Sequence, residues 1–232
     1  MSKQNVWLHV SDLMTGLMLI FMFIAVAFMY RVQKRTSVLS DYVETKDRLH
    51  AKLVKEFRGD TARWEMSIGK DLSMKFRNPN TLFRSGSAEI TPEFAHILDE
   101  FIPKYFSILL NDELRDNIQE VRIEGHTDNI PYPNLNPDPY IANIILSQQR
   151  ALSVLAYVRS MPSFQKYSQE QRSLLEFWIT ANGLSYGKSL DSLGQYTFKS
   201  HASINLDKSR RVEFRIISSG ETILENFVNK NK

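Results

Sequence analysis

The chain has 232 residues, 43% of them hydrophobic and 24% charged, with a formal net charge of +3 and no cysteine. That length holds a membrane anchor, a connector and one globular domain of about 150 residues, but no second large domain. The lack of cysteine excludes a disulfide framework and a thiolate metal site, and a basic surplus so small and dispersed gives nucleic-acid binding no support.

The first element is an apolar run. From Leu13 to Tyr30 no residue is charged, which suits a spanning helix of about 18–20 residues. Trp7 and Tyr30 bracket the run, roughly 35 Å apart at the helical rise, as aromatic anchors at opposite headgroup layers. Asp12 lies inside the N-terminal leaflet. An ionised carboxylate costs on the order of 3 kcal/mol at a helix centre and less near an end, so it is expected to face protein or water rather than lipid. Ser11, Asp12, Thr15 and Gly16 share one stripe by i, i+3 and i+4 spacing, a small and polar seam that admits a close helix neighbour.

Two plainer readings compete for this segment. A signal peptide is one, since Ala25-Val26-Ala27 imitates a cleavage site; but Lys3 is the sole basic side chain before the run, Asp12 interrupts the apolar start, and the run continues past the alanines. The other makes Asp12 an end-of-helix residue that caps or snorkels.

Residues 31–66 contain no proline and carry Val32, Leu39, Tyr42, Val43, Leu49, Leu53 and Phe57 at mostly three-to-four spacing between charged residues. This predicts an amphipathic connecting helix whose narrow stripe needs a partner, either the same helix of a second copy or the folded domain. Gly59-Asp60 marks its break. From Ser67 the pattern alternates between strand and helix. Leu72–Phe76 reads as a strand. Thr91-Pro92-Glu93 opens a helix through about Leu110 that Pro103 is expected to kink or split. Val121–Glu124 is a short strand stopped by Gly125, and Pro131 to Pro139 must be loop. A helix follows over about Ile141–Arg159, then another short helix opening at Ser168. Phe177–Ala181 and Arg211–Ile217 read as strands, separated by a polar insertion from Tyr186 to Asp207. The fold class is a single N-terminal transmembrane helix plus an α+β sandwich of order β-α-β-α-β-β. The expected divisions are 1–30, 31–66, 67–219 and a tail from 220 to 232.

Two segments of the domain carry chemistry: Gly125-His126-Thr127-Asp128 at a strand end, and Asn143, Leu146, Ser147, Arg150 and Ala151 on the next helix. A strand-end carboxylate and a helix guanidinium can read a zwitterion, the first bonding an ammonium and the second gripping a carboxylate. Such a pair taken alone is more often a surface salt bridge. A metallo-hydrolase built on His126, Asp128 and His201 fails on pattern, because the histidines lack ligand spacing.

Four segments in order, LFRSGSAEITPE, GHTDNIPY, NIILSQQRALSVLAYV and SRRVEFRI, resemble the OmpA-like peptidoglycan-binding domain over about residues 71–217. In that family the strand-end Asp and the helix Arg bind the amino-acid end of diaminopimelate in the wall peptide, which implies Asp128 and Arg150 here, with Asn143 and Leu146 in support. Arg210 and Arg211 match its double-arginine motif, whose second member is commonly structural. Ala142 stands where the family usually has tyrosine, and Ser209 where it has asparagine.

WLHVSDLMTGLMLIF is similar to the spanning helix of MotB-type stator subunits, in which an aspartate takes and releases a proton; the resemblance implies that Asp12 is the ion-conducting carboxylate. Matched at both ends, the chain resembles the B subunit of a MotA/MotB-class motor. That implies two B helices inside a ring of five MotA/ZorA-like multi-helix membrane subunits, hence a second copy of the chain, with peptidoglycan as the fixed partner. It implies no catalytic residue, no resident cofactor or metal, and H+ as the transported ion. It also implies a single pass through a bacterial inner membrane, N-terminus cytoplasmic and domain periplasmic. Arg31, Lys34 and Arg35 follow the span while Lys3 precedes it, so the positive-inside rule alone votes the other way by about one charge. The short start, the loop after GHTD and the insertion before SRRVE resemble B subunits of the Zorya anti-phage defence system more than flagellar ones. A passive tether from membrane to wall is the rival from another class.

Overall fold

The computed structural model describes residues 3–77, 79–84 and 86–220, and these fall into two compact units, 1–44 and 45–232. The expected tail beyond residue 220 and the side chain of Leu39 lie outside the described residues.

The first unit is helical throughout, the N-terminal part of α1 (Lys3–Phe57). Val10–Gln33 spans 24 residues at a mean hydropathy of 2.3, long and apolar enough to cross a membrane. Thr15 donates its hydroxyl to the Ser11 carbonyl at 2.8 Å, so this polar side chain is satisfied within its own helix. Every side chain from Val10 to Gln33 is exposed, which leaves the whole cylinder available to lipid or to other helices.

The second unit begins with the last turns of α1. Leu49, Leu53 and Phe57 lie on one face at i, i+4 and i+8 and are fully buried in the domain core. The Phe57 ring lies 5.3 Å from Phe101 and 6.1 Å from Trp64, centroid to centroid. Of the two partners left open for the connector stripe, its C-terminal half therefore takes the folded domain. The boundary expected at residue 67 falls inside this unit. The helix stops at Phe57 as Gly59-Asp60 predicts, and Asp60 fixes the turn by accepting from Arg63 at 2.8 Å and Lys104 at 2.7 Å.

One five-stranded sheet organises the unit. Its strands are β1 (Met66–Ile68), β2 (Ser73–Phe76), β3 (Ile118–His126), β4 (Ile179–Gly183) and β5 (Arg211–Ser218), in the order β1-β2-β5-β3-β4. β3 and β4 pair in parallel and the other neighbours antiparallel. Three-residue β1 is too short to show alternation in sequence. β4 begins later than expected because the preceding helix carries on through Trp178. The helices are α2 (Pro79–Leu82), α3 (Pro92–Leu109), α4 (Pro139–Ser160), α5 (Pro162–Gln165) and α6 (Gln169–Trp178). Thr91 caps α3 by accepting from the Phe94 amide, Asp138 caps α4, and Ser168 with Gln171 forms a capping box on α6, each satisfying amides that the first turn leaves open. α3 runs through Pro103 as one helix, so of the expected kink or split the split does not occur. The insertion folds into α7 (Thr197–Ser200) and α8 (Leu206–Ser209), with a bridge between Leu190 and Tyr196.

The core lies between the sheet and the helices. Phe76, Phe94, Phe101, Tyr105 and Phe214 form a chain of rings with centroids 5.0–5.9 Å apart, within the range of favourable aromatic pairing. Val121 and Ile123 of β3 join this core, so by strand alternation Glu124 and His126 lie with opposite faces of the pleat to Ile123 and Gly125.

Candidate functional site

Two glycines let α4 lie directly on the sheet. A Cβ on Gly125 would stand 2.2 Å from the Ser147 carbonyl oxygen, and one on Gly183 would stand 2.4 Å from the Gln148 amide nitrogen. Both are impossible contacts for a side chain. Polar bonds then lock the approach. Gln148 accepts from the Gly183 amide at 2.7 Å and donates to the Ala181 carbonyl at 3.0 Å, while Ser147 accepts from the Ser185 amide at 3.0 Å. The consequence is a rim made by the segment just after β3 and by α4, along which Asp128, Asn143, Leu146 and Arg150 are set.

Asp128 is 1% exposed. Its Oδ1 accepts from the Ile130 amide at 3.0 Å, and its Oδ2 makes no hydrogen bond, lying 3.4 Å from Nη1 of Arg210. Asn143 is fully buried and donates from Nδ2 to the carbonyls of Ile130 at 2.9 Å and Pro139 at 3.0 Å, while its Oδ1 is a second buried acceptor without a partner. Leu146, on the same helix, is 1% exposed. Unsatisfied buried acceptors are costly, and two around the Ile130 peptide make a place suited to a donor-rich cation.

Arg150 is 7% exposed. It donates from Nε to the Ser87 carbonyl at 2.9 Å and from Nη2 to the Arg84 carbonyl at 3.5 Å, and its guanidinium sits 5.1 Å over the Phe83 ring. Burial pulls its pKa down, and the nearby Asp128 and Tyr132 oppose that pull. No ion pair within bonding distance joins Arg150 to Asp128 among the described residues. The two charges are thus held apart on separate supports, with Nη1 of Arg150 left as the donor for an incoming anion.

Sequence reasoning missed several parts of this site. Arg210, noted only as half of a motif, is the cation nearest Asp128, and it also pairs with Asp207 at 2.6 Å. The Ser87 and Arg84 carbonyls carry no side-chain signal that could have found them. Thr127 is buried, with an unpartnered hydroxyl. Arg211 is structural, donating to Glu213 at 2.6 Å and to the carbonyls of Ser209 and Lys188 at 3.0 and 3.2 Å. Ser209 has its own use, since its hydroxyl accepts from the Leu190 amide at 3.0 Å and donates to the Leu190 carbonyl at 3.3 Å. His126 groups with Glu124 and Glu213, while His201 is exposed with a left-handed φ of 54°.

Comparison with known proteins fits this geometry. Residues 82–169, which hold Asp128, Asn143, Leu146 and Arg150, match the OmpA family. The chain is also 34% identical to the Zorya protein ZorB of Escherichia coli, over 96% of its own length and 92% of that protein. The chain belongs to the ZorB family. The match to ZorB reaches across the apolar helix as well as the OmpA-family domain, so the two units belong to one family architecture. The chain is also similar to a solved MotB-like protein from Desulfovibrio vulgaris, at 21% identity and a TM-score of 0.49, over 76% of this chain and 93% of that one. The periplasmic domain of Helicobacter pylori MotB gives 15% identity and a TM-score of 0.41, over 68% and 85%. The family assignment rests on ZorB alone.

Proposed function

We propose that the chain is the wall-anchored B subunit of a proton-driven rotary membrane motor serving Zorya anti-phage defence. Two B helices would stand inside a ring of multi-helix A subunits, five by the resemblance to MotA/MotB-class units. The N-terminus would lie in the cytoplasm and the domain in the periplasm. The observation that carries this reading is the pairing, in one ZorB-family chain, of a lone carboxylate inside an apolar span with a buried acidic and basic site in an OmpA-family domain.

Each end has a stated job. At the wall, the Asp128 and Asn143 acceptors would take the ammonium of a diaminopimelate residue and Arg150 its carboxylate. In the membrane, Asp12 would accept a proton from one side and release it to the other. A proton moving down about 150 mV releases about 3.5 kcal/mol, enough to bias a step if charged and neutral Asp12 favour different ring contacts. With the domain held by the wall, the ring would be the part that turns. The deciding experiment is Asp12→Asn, which keeps size and hydrogen bonding but removes the proton site. Membrane insertion and complex assembly should be retained and phage protection lost, whereas full protection would leave only a passive tether.

A further inference from the structure

Glu124 and Glu213 face each other directly across the antiparallel β3–β5 ladder, each 3% exposed. Like charges at directly opposed positions destabilise a sheet, more so when buried. His126, 1% exposed, places Nε2 3.5 Å from an oxygen of each glutamate. It makes no hydrogen bond to either, and Nδ1 has no partner. A neutral imidazole carries one donor and one acceptor nitrogen, and here both are buried without use. An imidazolium would answer the two carboxylates, but burial and the neighbouring Arg211 guanidinium push the His126 pKa well below its usual value, with Lys188 and Lys75 adding to that effect. Arg211 donates from Nε to Oε1 of Glu213 at 2.6 Å, the same oxygen that lies 3.5 Å from His126 Nε2. Lys75 stands opposite Glu213 in the β2–β5 ladder, so the two glutamates have Arg211, Lys75 and Lys188 as neighbouring cations.

We propose that Glu124, His126 and Glu213 bind a divalent metal ion, zinc fitting best, at a structural site on the sheet face distinct from the wall-binding rim. The three ligand atoms lie within 4.8 Å of one another. Zinc bonds of about 2.0–2.2 Å in a tetrahedron place neighbouring ligand atoms about 3.4 Å apart, close to the two 3.5 Å separations from Nε2. The ligands come from two adjacent strands, β3 and β5. The ion would replace repulsion across that ladder with two bonds to carboxylate and one to imidazole. It would thereby brace the strand that leads into Thr127 and Asp128. Oε1 of Glu213 would serve the ion while it accepts from Arg211.

The test uses the untagged full-length chain in detergent, loaded with Zn2+ and then passed through a desalting column. Metal analysis should find about one zinc per chain, and chelation should lower the thermal midpoint. Cobalt in place of zinc should give the visible absorption of a nitrogen- and oxygen-ligated ion. His126→Gln and Glu124→Gln should each cut affinity by on the order of a hundredfold or more, since loss of a ligand exceeds loss of its supporting contacts. Asp128→Asn should keep the zinc, which separates this site from the wall-binding reading. Wild-type chain that retains no zinc, manganese or cobalt and shows no shift in midpoint would overturn the proposal, as would unchanged zinc in both variants.

Discussion

The apolar helix and the OmpA-family domain place their key groups in opposite ways. In the apolar span Asp12 is the one carboxylate, set in a short seam with Ser11, Thr15 and Gly16, and its position follows from local sequence. In the domain the site is gathered from the end of β3, from α4, from the 84–87 loop and from Arg210, stretches that lie far apart in the chain. The lesson is that a helix exposes its chemistry to sequence directly, whereas a sheet with helices packed on it makes chemistry by bringing distant residues together. A single substitution can disable the first, but the second has several independent ways to fail.

The largest expected effect falls on the helix. Asp12→Asn should abolish motor-dependent phage protection, and Asp12→Glu should restore part of it by returning a titratable group. Measured in cells with the complex shown intact, equal loss in both variants would point to shape rather than proton exchange.

Next comes the rim of the domain. Asp128→Ala with Arg150→Ala should remove co-sedimentation of the full-length chain with purified peptidoglycan while its circular dichroism stays native-like. Undiminished binding would move the wall contact to another surface. Arg210→Ala alone should strengthen binding modestly, since it removes the cation that stands 3.4 Å from the Asp128 carboxylate.

Folding separates the two regions further. A domain trimmed to start at residue 67 lacks Leu49, Leu53 and Phe57, each fully buried. Loss of such side chains costs roughly 2–5 kcal/mol apiece, so the trimmed form should be unfolded or close to it, while one starting at residue 45 should melt cooperatively. Identical midpoints for the two would show that the helix end is dispensable. Read by urea denaturation, Gly125→Ala should exceed the ordinary overpacking cost of about 1–3 kcal/mol, because its Cβ would meet the Ser147 backbone at 2.2 Å and α4 would have to move.

The smallest effect is a pattern rather than a loss. Cysteines placed singly along residues 31–44 should crosslink two copies in membranes with three-to-four residue periodicity. The same change at Leu49 or Leu53 should give none, since the domain core covers those positions. Crosslinking that continued through Leu53 would mean that the domain releases this face.

How far the sequence was legible follows the same division. Periodicity and caps located the span and the helices opened by Thr91 and Ser168, because those signals are local. Asp128, Asn143, Leu146 and Arg150 were found through motif resemblance, and the structure does bring them to one rim. The buried end of α1 escaped division at residue 67, since a stripe of Leu49, Leu53 and Phe57 reads alike whether it meets a second helix or a core. Pro103, expected to kink or split its helix, does not split it. A proline inside a helix costs about 3 kcal/mol, and the buried face of α3, with Phe101, Ile102, Tyr105 and Phe106, offsets it. The Glu124–His126–Glu213 group could not be seen at all, because only strand register puts residue 124 opposite residue 213.

The grip on Arg150 comes from the carbonyls of Arg84 and Ser87 rather than from any side chain of that loop. Point substitutions at Arg84 and Ser87 are therefore cheap for the lineage, since every amino acid carries the same carbonyl, whereas Gly86 between them has a φ of 67° that a side chain would strain. Insertions and deletions are costly throughout: a single added residue would shift both acceptors and leave the guanidinium aimed elsewhere. Among ZorB relatives the loop should accordingly keep its glycine and its length while its other letters drift.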